Sequence, residues 1–284
     1  MGDRTVPMTG RLESFGGSGA RLVFAHANGY PPGCYRQLLE PLTTRFQVMG
    51  YRHRPLWPES AQQAAPTRAN WQRFASDLID TLEGCAEGSP VWMMGHSLGG
   101  VVSMLAAVRK PRLFRGVVLL DPVFMPSRRA LSLALMPNRA LRQIPLVRKT
   151  LGRPAQFADH QAMFDFHRGK RAFAGMSDEA LWHYVHAGSR ATAAGVELAW
   201  SPAWEAAVYS SVPLVWLRLP RLRLPTLGLR GEHSDILGEA IMRRWARLQP
   251  AAELHTCPGG HLFPLEYPRD TAARVLDFLA RQGA

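Results

Sequence analysis

The sequence predicts an α/β protein built on a mostly parallel sheet with helices on both faces, on three observations. Short apolar, strand-like runs recur along the chain. Helical patterns lie between them. The third observation is composition: 284 residues with 46% hydrophobic and 20% charged side chains can enclose a full core. The same balance excludes a disordered or fibrous chain.

The elements follow in order. Arg21–Ala25 is a short apolar run, and the glycine-rich Gly16-Gly17-Ser18-Gly19 before it reads as a turn, since a phosphate-cradling loop would follow a strand. A helical pattern covers Tyr35–Thr44, and Phe46–Tyr51 is the next strand. Trp71–Leu82 is helical, Val91–Met94 is a strand leading into Gly95, and Leu98–Val108 is helical again. Gly116–Leu120 is a strand ending on Asp121. From about Pro126 to Leu224 the alternation breaks, leaving helix-like pieces at Arg129–Arg142, Glu179–His186 and Trp204–Tyr209 among scattered prolines. The series then resumes with a strand at Pro225–Arg230, a helix at Ala240–Leu248, a strand at Ala252–Cys257 and a helix at Pro268–Gln282. The expected organisation is a core of residues 1–125 and 222–284, interrupted by an inserted segment of residues 126–221.

No apolar run approaches the roughly 20 residues of a membrane-spanning helix. The N-terminus, Met1-Gly2-Asp3-Arg4-Thr5-Val6, places an acid at once and a valine where acylation wants Ser or Thr, so neither a secretory signal nor a myristoyl site is read there. Three scattered cysteines, Cys34, Cys85 and Cys257, make neither a disulfide framework nor a zinc cluster and fit a reducing compartment. A cytoplasmic protein is the expectation. The net charge of +12 is uneven: Pro126–Ala172 holds ten basic residues against two acids. Such an excess attracts anionic partners, here an anionic membrane surface or an acidic carrier, unless it is only a solvated face. A nucleic-acid partner is not expected, because no recognition motif accompanies the charge. Oligomeric state is not legible.

Gly95-His96-Ser97-Leu98-Gly99 is a G-x-S-x-G between a strand and the apolar helix Val101–Val108. Its chemistry needs that shape. The serine sits on a strained strand-to-helix turn, small flanking residues leave room for the backbone, and the helix points its positive end at the hydroxyl.

On this motif and its context the chain resembles the α/β-hydrolase superfamily, in an esterase- or lipase-like branch with a helical cap, over about residues 10–125 and 222–284. The resemblance implies a serine hydrolase with catalytic order Ser, acid, His. Ser97 is the nucleophile. His261, in Pro258-Gly259-Gly260-His261-Leu262-Phe263-Pro264, is the general base. Asp235, in Arg230-Gly231-Glu232-His233-Ser234-Asp235, is the expected acid by family position. Asp121 is its rival, because some hydrolases of this fold draw the acid from the earlier strand; Glu232 and Glu239 are weaker rivals. The oxyanion hole is expected from the backbone N–H groups of Leu98 and Asn28, with Gly29 as substitute donor, in a loop His26-Ala27-Asn28-Gly29-Tyr30 that has Ala27 where the family uses glycine. His26 would orient that loop, and His26, Gly29, Tyr30 and Trp204 are candidate substrate contacts. His183 and His186 lack the pattern of a metal site, so neither a metal nor a cofactor is expected. A serine at the elbow argues against dehalogenase and epoxide-hydrolase chemistry. The expected reaction is hydrolysis of a small-molecule carboxylic ester through a Ser97 acyl-enzyme. The alternatives are a thioesterase or acyltransferase acting on a carrier-bound acyl group, or a ligand-binding homologue without turnover.

Overall fold

The structure is a computed structural model and describes residues 10–60, 63–85 and 89–283. Met1–Val6, on which the expectations about a leader rest, lies outside the described residues. The chain begins with β1 (Leu12–Gly16), β2 (Ala20–Ala25), the short helix α1 (Arg36–Leu39) and β3 (Phe46–Tyr51). It continues through α2 (Trp71–Glu83), β4 (Val91–His96), α3 (Leu98–Arg109) and β5 (Phe114–Leu120). Next come α4 (Ser127–Leu135), α5 (Asn138–Leu141), α6 (Pro145–Leu151), β6 (Gln156–Phe157), α7 (His160–Arg168), α8 (Asp178–Ala187), β7 (Ser189–Thr192), β8 (Gly195–Leu198) and α9 (Pro202–Tyr209). The chain closes with β9 (Thr226–Gly231), α10 (Glu239–Leu248), β10 (Glu253–Cys257), α11 (Phe263–Glu266) and α12 (Pro268–Arg281).

Among the described residues the main sheet has seven strands in the order β1-β3-β2-β4-β5-β9-β10, with β1 antiparallel to β3 and the other pairs parallel. Side chains alternate across it, as the two-residue strand period requires. Leu22 and Phe24 of β2, with Trp92 and Met94 of β4, join the core under α1 and α12. Val23, Ala25, Val91 and Met93 join the other, with Phe74 of α2, Val101 of α3 and Trp245 of α10. Both faces are dry, which is why the strands read as nearly continuous apolar runs.

Three local expectations change. β1 was not expected; it is an edge strand of mixed composition, LESFG, registered by its pairing with β3. The helix expected over Tyr35–Thr44 is divided into 3-10 turns at Pro32–Tyr35 and Glu40–Thr44 around α1, since Pro41 cannot donate to an α-helical ladder. The segment between β5 and β9 is not only helical: β6, β8 and β7 form a small antiparallel sheet within it.

His26, His53 and His96 are fully buried, and burial holds all three imidazoles below their ordinary pKa, His53 at about 4. In the unfolded chain each takes up a proton near ~6.5. The unfolded state therefore binds more protons once pH drops below that value. Stability is full above it and lost progressively on acidification, by about 1 kcal/mol per pH unit for each group. Urea midpoints measured from pH 7.5 to 5 are expected to fall steeply below 6.5. A flat profile over that window would contradict neutral, buried imidazoles.

Candidate active site

Ser97 follows β4 directly and caps the N-terminus of α3 with φ 54° and ψ −113°, a strained conformation for a non-glycine residue. Close packing makes the strain unavoidable. A Cβ on Gly99 would lie 2.0 Å from the Ala25 carbonyl oxygen, and one on Gly95 would lie 2.4 Å from that of Gly99. Only glycine admits the turn at these two flanking positions.

His261 stands in the loop after β10, with Nε2 2.9 Å from Ser97 Oγ and Nδ1 2.6 Å from Asp121 Oδ2. Asp121 directly follows β5, is fully buried and has φ 41°. Its carboxylate also accepts from the Gly231 N–H at 2.9 Å through Oδ1 and from the Ser234 hydroxyl at 2.5 Å through Oδ2. Three donors thus converge on one buried carboxylate and satisfy it.

The expectation for Asp235 is corrected by this geometry. Asp235 is exposed, and the loop after β9 turns Ser234, not its neighbour, toward the site. Ser234 Oγ also accepts from the Ile236 and Leu237 N–H groups, which fixes the turn and leaves Asp235 on the outside. Glu232 and Glu239 are exposed as well. Ser234 has no signal in the sequence apart from its place after a late strand.

His96, the variable residue inside G-x-S-x-G, holds the backbone of His261 from behind. Its Nε2 lies 2.8 Å from the His261 carbonyl oxygen, which can only accept, so Nε2 carries the proton. Nδ1 of the neutral ring then accepts from the Tyr35 hydroxyl at 2.7 Å. Burial, with the neighbouring His261 adding to it, keeps this ring neutral.

The loop after β2 closes on a turn in which the Tyr30 N–H donates to the Ala27 carbonyl at 3.2 Å. Gly29 has φ 81° at the third position of that turn, the left-handed value that glycine supplies. Asn28 and Gly29 keep their N–H groups outside the closing bond. His26 lies beneath: Nδ1 is 2.7 Å from the Ala27 carbonyl, and Nε2 accepts from the His53 N–H at 3.2 Å. The imidazole is occupied in holding the loop. Leu98 is the first residue of α3, so its N–H has no intrahelical acceptor. Tyr30 packs on Phe173 and Tyr184, at ring distances of 6.1 and 5.2 Å. Trp204 packs on Phe74 at 6.4 Å, at the start of α9. His183 and His186 lie on α8, where His186 stacks on Trp182.

A family model described as the alpha/beta hydrolase family matches residues 22–274. Rat (Rattus norvegicus) monoglyceride lipase is 25% identical over 221 residues, which is 76% of this chain and 65% of that protein. The chain thus spans just under two thirds of that relative's length. Among solved structures, E-2-(acetamidomethylene)succinate hydrolase superposes with a TM-score of 0.77 at 23% identity, covering 95% of this chain and 94% of the other. The thioesterase domain from a curacin biosynthetic pathway gives 0.74 at 16% identity, covering 93% and 94%.

Proposed function

The chain belongs to the α/β-hydrolase family, and from that membership we propose that it is a serine hydrolase cleaving a carboxylic ester through an acyl-enzyme on Ser97. One observation carries this reading: the continuous hydrogen-bonded line from Ser97 Oγ through His261 to the buried Asp121. Ser97 attacks the acyl carbonyl as His261 Nε2 takes its proton. The Leu98 and Asn28 N–H groups receive the oxyanion. His261 then returns the proton to the departing alcohol, and a water repeats the sequence to release the acid. Asp121 accepts the Nδ1 proton's hydrogen bond throughout, holding the tautomer and stabilising the imidazolium. Because a monoglyceride lipase is among the relatives, a monoglyceride is the first substrate class to assay. A panel of esters of varied chain length, run beside matched thioesters, tests the reading. Rates favouring the thioesters by the same factor along the panel would transfer it to carrier-bound acyl groups.

The inserted segment adds a second proposal, contact with an anionic lipid surface. Residues 127–151 contain no acid, and Arg128, Arg129, Arg139, Arg142, Arg148 and Lys149 are exposed, without ion-pair partners among the described residues. Between them Leu131, Leu135 and Leu146 are 48%, 75% and 51% exposed, whereas Leu141 is buried. Basic side chains of this kind contribute about 1 kcal/mol each near an anionic bilayer, an attraction that salt screens. Turnover of a substrate presented in phosphatidylglycerol vesicles is expected to fall as salt rises, while turnover of a small neutral ester barely changes. Changing Arg128, Arg129, Arg139 and Arg142 to Gln should abolish the difference. Equal salt responses would leave these residues a solvated face, and salt-sensitive turnover only with an acidic carrier would move the partner to a protein.

A further inference from the structure

Glu205 is a carboxylate of α9 with 7% of its surface exposed. Burial pushes its carboxyl above the ordinary range, and Arg153 beside it pulls back. It meets the loop after β2 in two ways. Its carbonyl oxygen accepts from Asn28 Nδ2 at 3.1 Å. Its side-chain Oε2 stands against Gly29, where a Cβ would lie 3.2 Å away. The same Oε2 takes a hydrogen bond from Arg153 Nη2, and Oε1 takes one from the Tyr209 hydroxyl at 3.2 Å. Arg153 lies just beyond α6, so one buried carboxylate joins the loop, α9 and the segment after α6.

An ion pair of this kind adds little net stability over a well-packed apolar alternative, whereas removing one partner leaves a buried charge uncompensated. What the pair secures is arrangement. Oδ1 of Asn28 is buried without a hydrogen-bond partner among the described residues, so the hydrogen bond that anchors this side chain is the one to Glu205. The core therefore supplies the loop, and a carbonyl from the inserted segment holds it.

We infer that Glu205 is a positioning residue: its pairing with Arg153 seats α9 against the loop and so sets the place of the Asn28 N–H. The inference rests on the reading of Asn28 as an oxyanion donor. It makes the oxyanion hole conditional on a seated cap.

Glu205→Gln keeps the size of the side chain and its acceptor for Tyr209 but removes the charge that Arg153 needs. On an activated ester, kcat is expected to fall about 10- to 100-fold, the scale of a misplaced catalytic group, with KM changed less than about threefold. Hydrogen exchange in a peptide spanning residues 26–30 should accelerate. Arg153→Met should behave alike, and the double variant should cost no more than either single one, since all three break one pair. A folded Glu205→Gln protein with wild-type kcat and unchanged exchange overturns the inference. So does a rise in KM at constant kcat, which would make Glu205 a substrate contact. If Glu205→Gln does not fold, Arg153→Lys decides: it keeps the charge without the planar fork, and its kcat should lie between wild type and Arg153→Met. Wild-type kcat and exchange in that variant and in Arg153→Met would reject the role. Exchange does not depend on turnover, so the positioning role can fail or stand separately from the esterase reading.

Discussion

Replacing Ser97 with alanine is expected to reduce kcat by on the order of 10⁴–10⁶ while leaving the folded state intact. The loss is large because Oγ is the only heavy atom removed and it is the one that would carry the acyl group. What remains is the rate supplied by the oxyanion donors and binding alone. The fold should survive, because the hydroxyl's hydrogen-bond partner is His261 Nε2 in a site where that imidazole is partly exposed. Alanine also meets the same φ of 54° that serine already tolerates. The measurement is turnover of an ester panel by protein with native circular dichroism, beside labelling by a fluorophosphonate. Retained turnover, or labelling at another residue, would end the assignment of Ser97 as nucleophile.

Asp121→Asn is expected to lower kcat by about 10⁴-fold, the scale seen when a triad carboxylate becomes an amide. Three donors point at this carboxylate: His261 Nδ1, the Ser234 hydroxyl and the Gly231 N–H. An amide offers one oxygen and turns an NH₂ against the remaining donors. Relief comes by His261 moving its proton to Nε2, which leaves that atom unable to accept from Ser97. Some loss of stability should accompany the change, since a buried polar group goes unsatisfied. Asp235→Asn, on an exposed loop position, should stay within about threefold of wild type. The two variants measured side by side decide which aspartate serves the base. A small effect at Asp121 with a large one at Asp235 would mean that the geometry described above is not that of the working enzyme.

Local order determines part of this site. The turn at Ser97 is legible because every requirement lies within a few residues: an apolar strand before, glycines at Gly95 and Gly99, an apolar helix after. His261 is legible for a related reason, since a Gly-Gly-His run after the last strand has one place to go. The alternation of apolar strands and helices likewise specifies the doubly covered sheet, because each strand's burial is written in its own composition. The edge strand β1 is not written that way, as its order depends on the β3 backbone beside it.

Which aspartate meets His261 was decided by tertiary structure. Asp121 and Asp235 each follow a parallel strand and are equivalent as local sequence. Strand order separates them: β5 lies between β4 and β9, so its end faces both the elbow and the loop that brings Ser234 inward. Contact between residues 121 and 261 spans 140 positions of sequence, and no local pattern encodes it. Glu205 and Arg153 follow the same rule, one in a short helix and the other in a turn, unremarkable until the fold buries them together. The sequence by itself determined the parallel part of the sheet and pointed to Ser97 and His261, whose requirements are short-range. Only the tertiary structure set Asp121, with Ser234 and the Gly231 N–H around it, beside His261, because burial and convergence are properties of neighbours that the chain brings from far away.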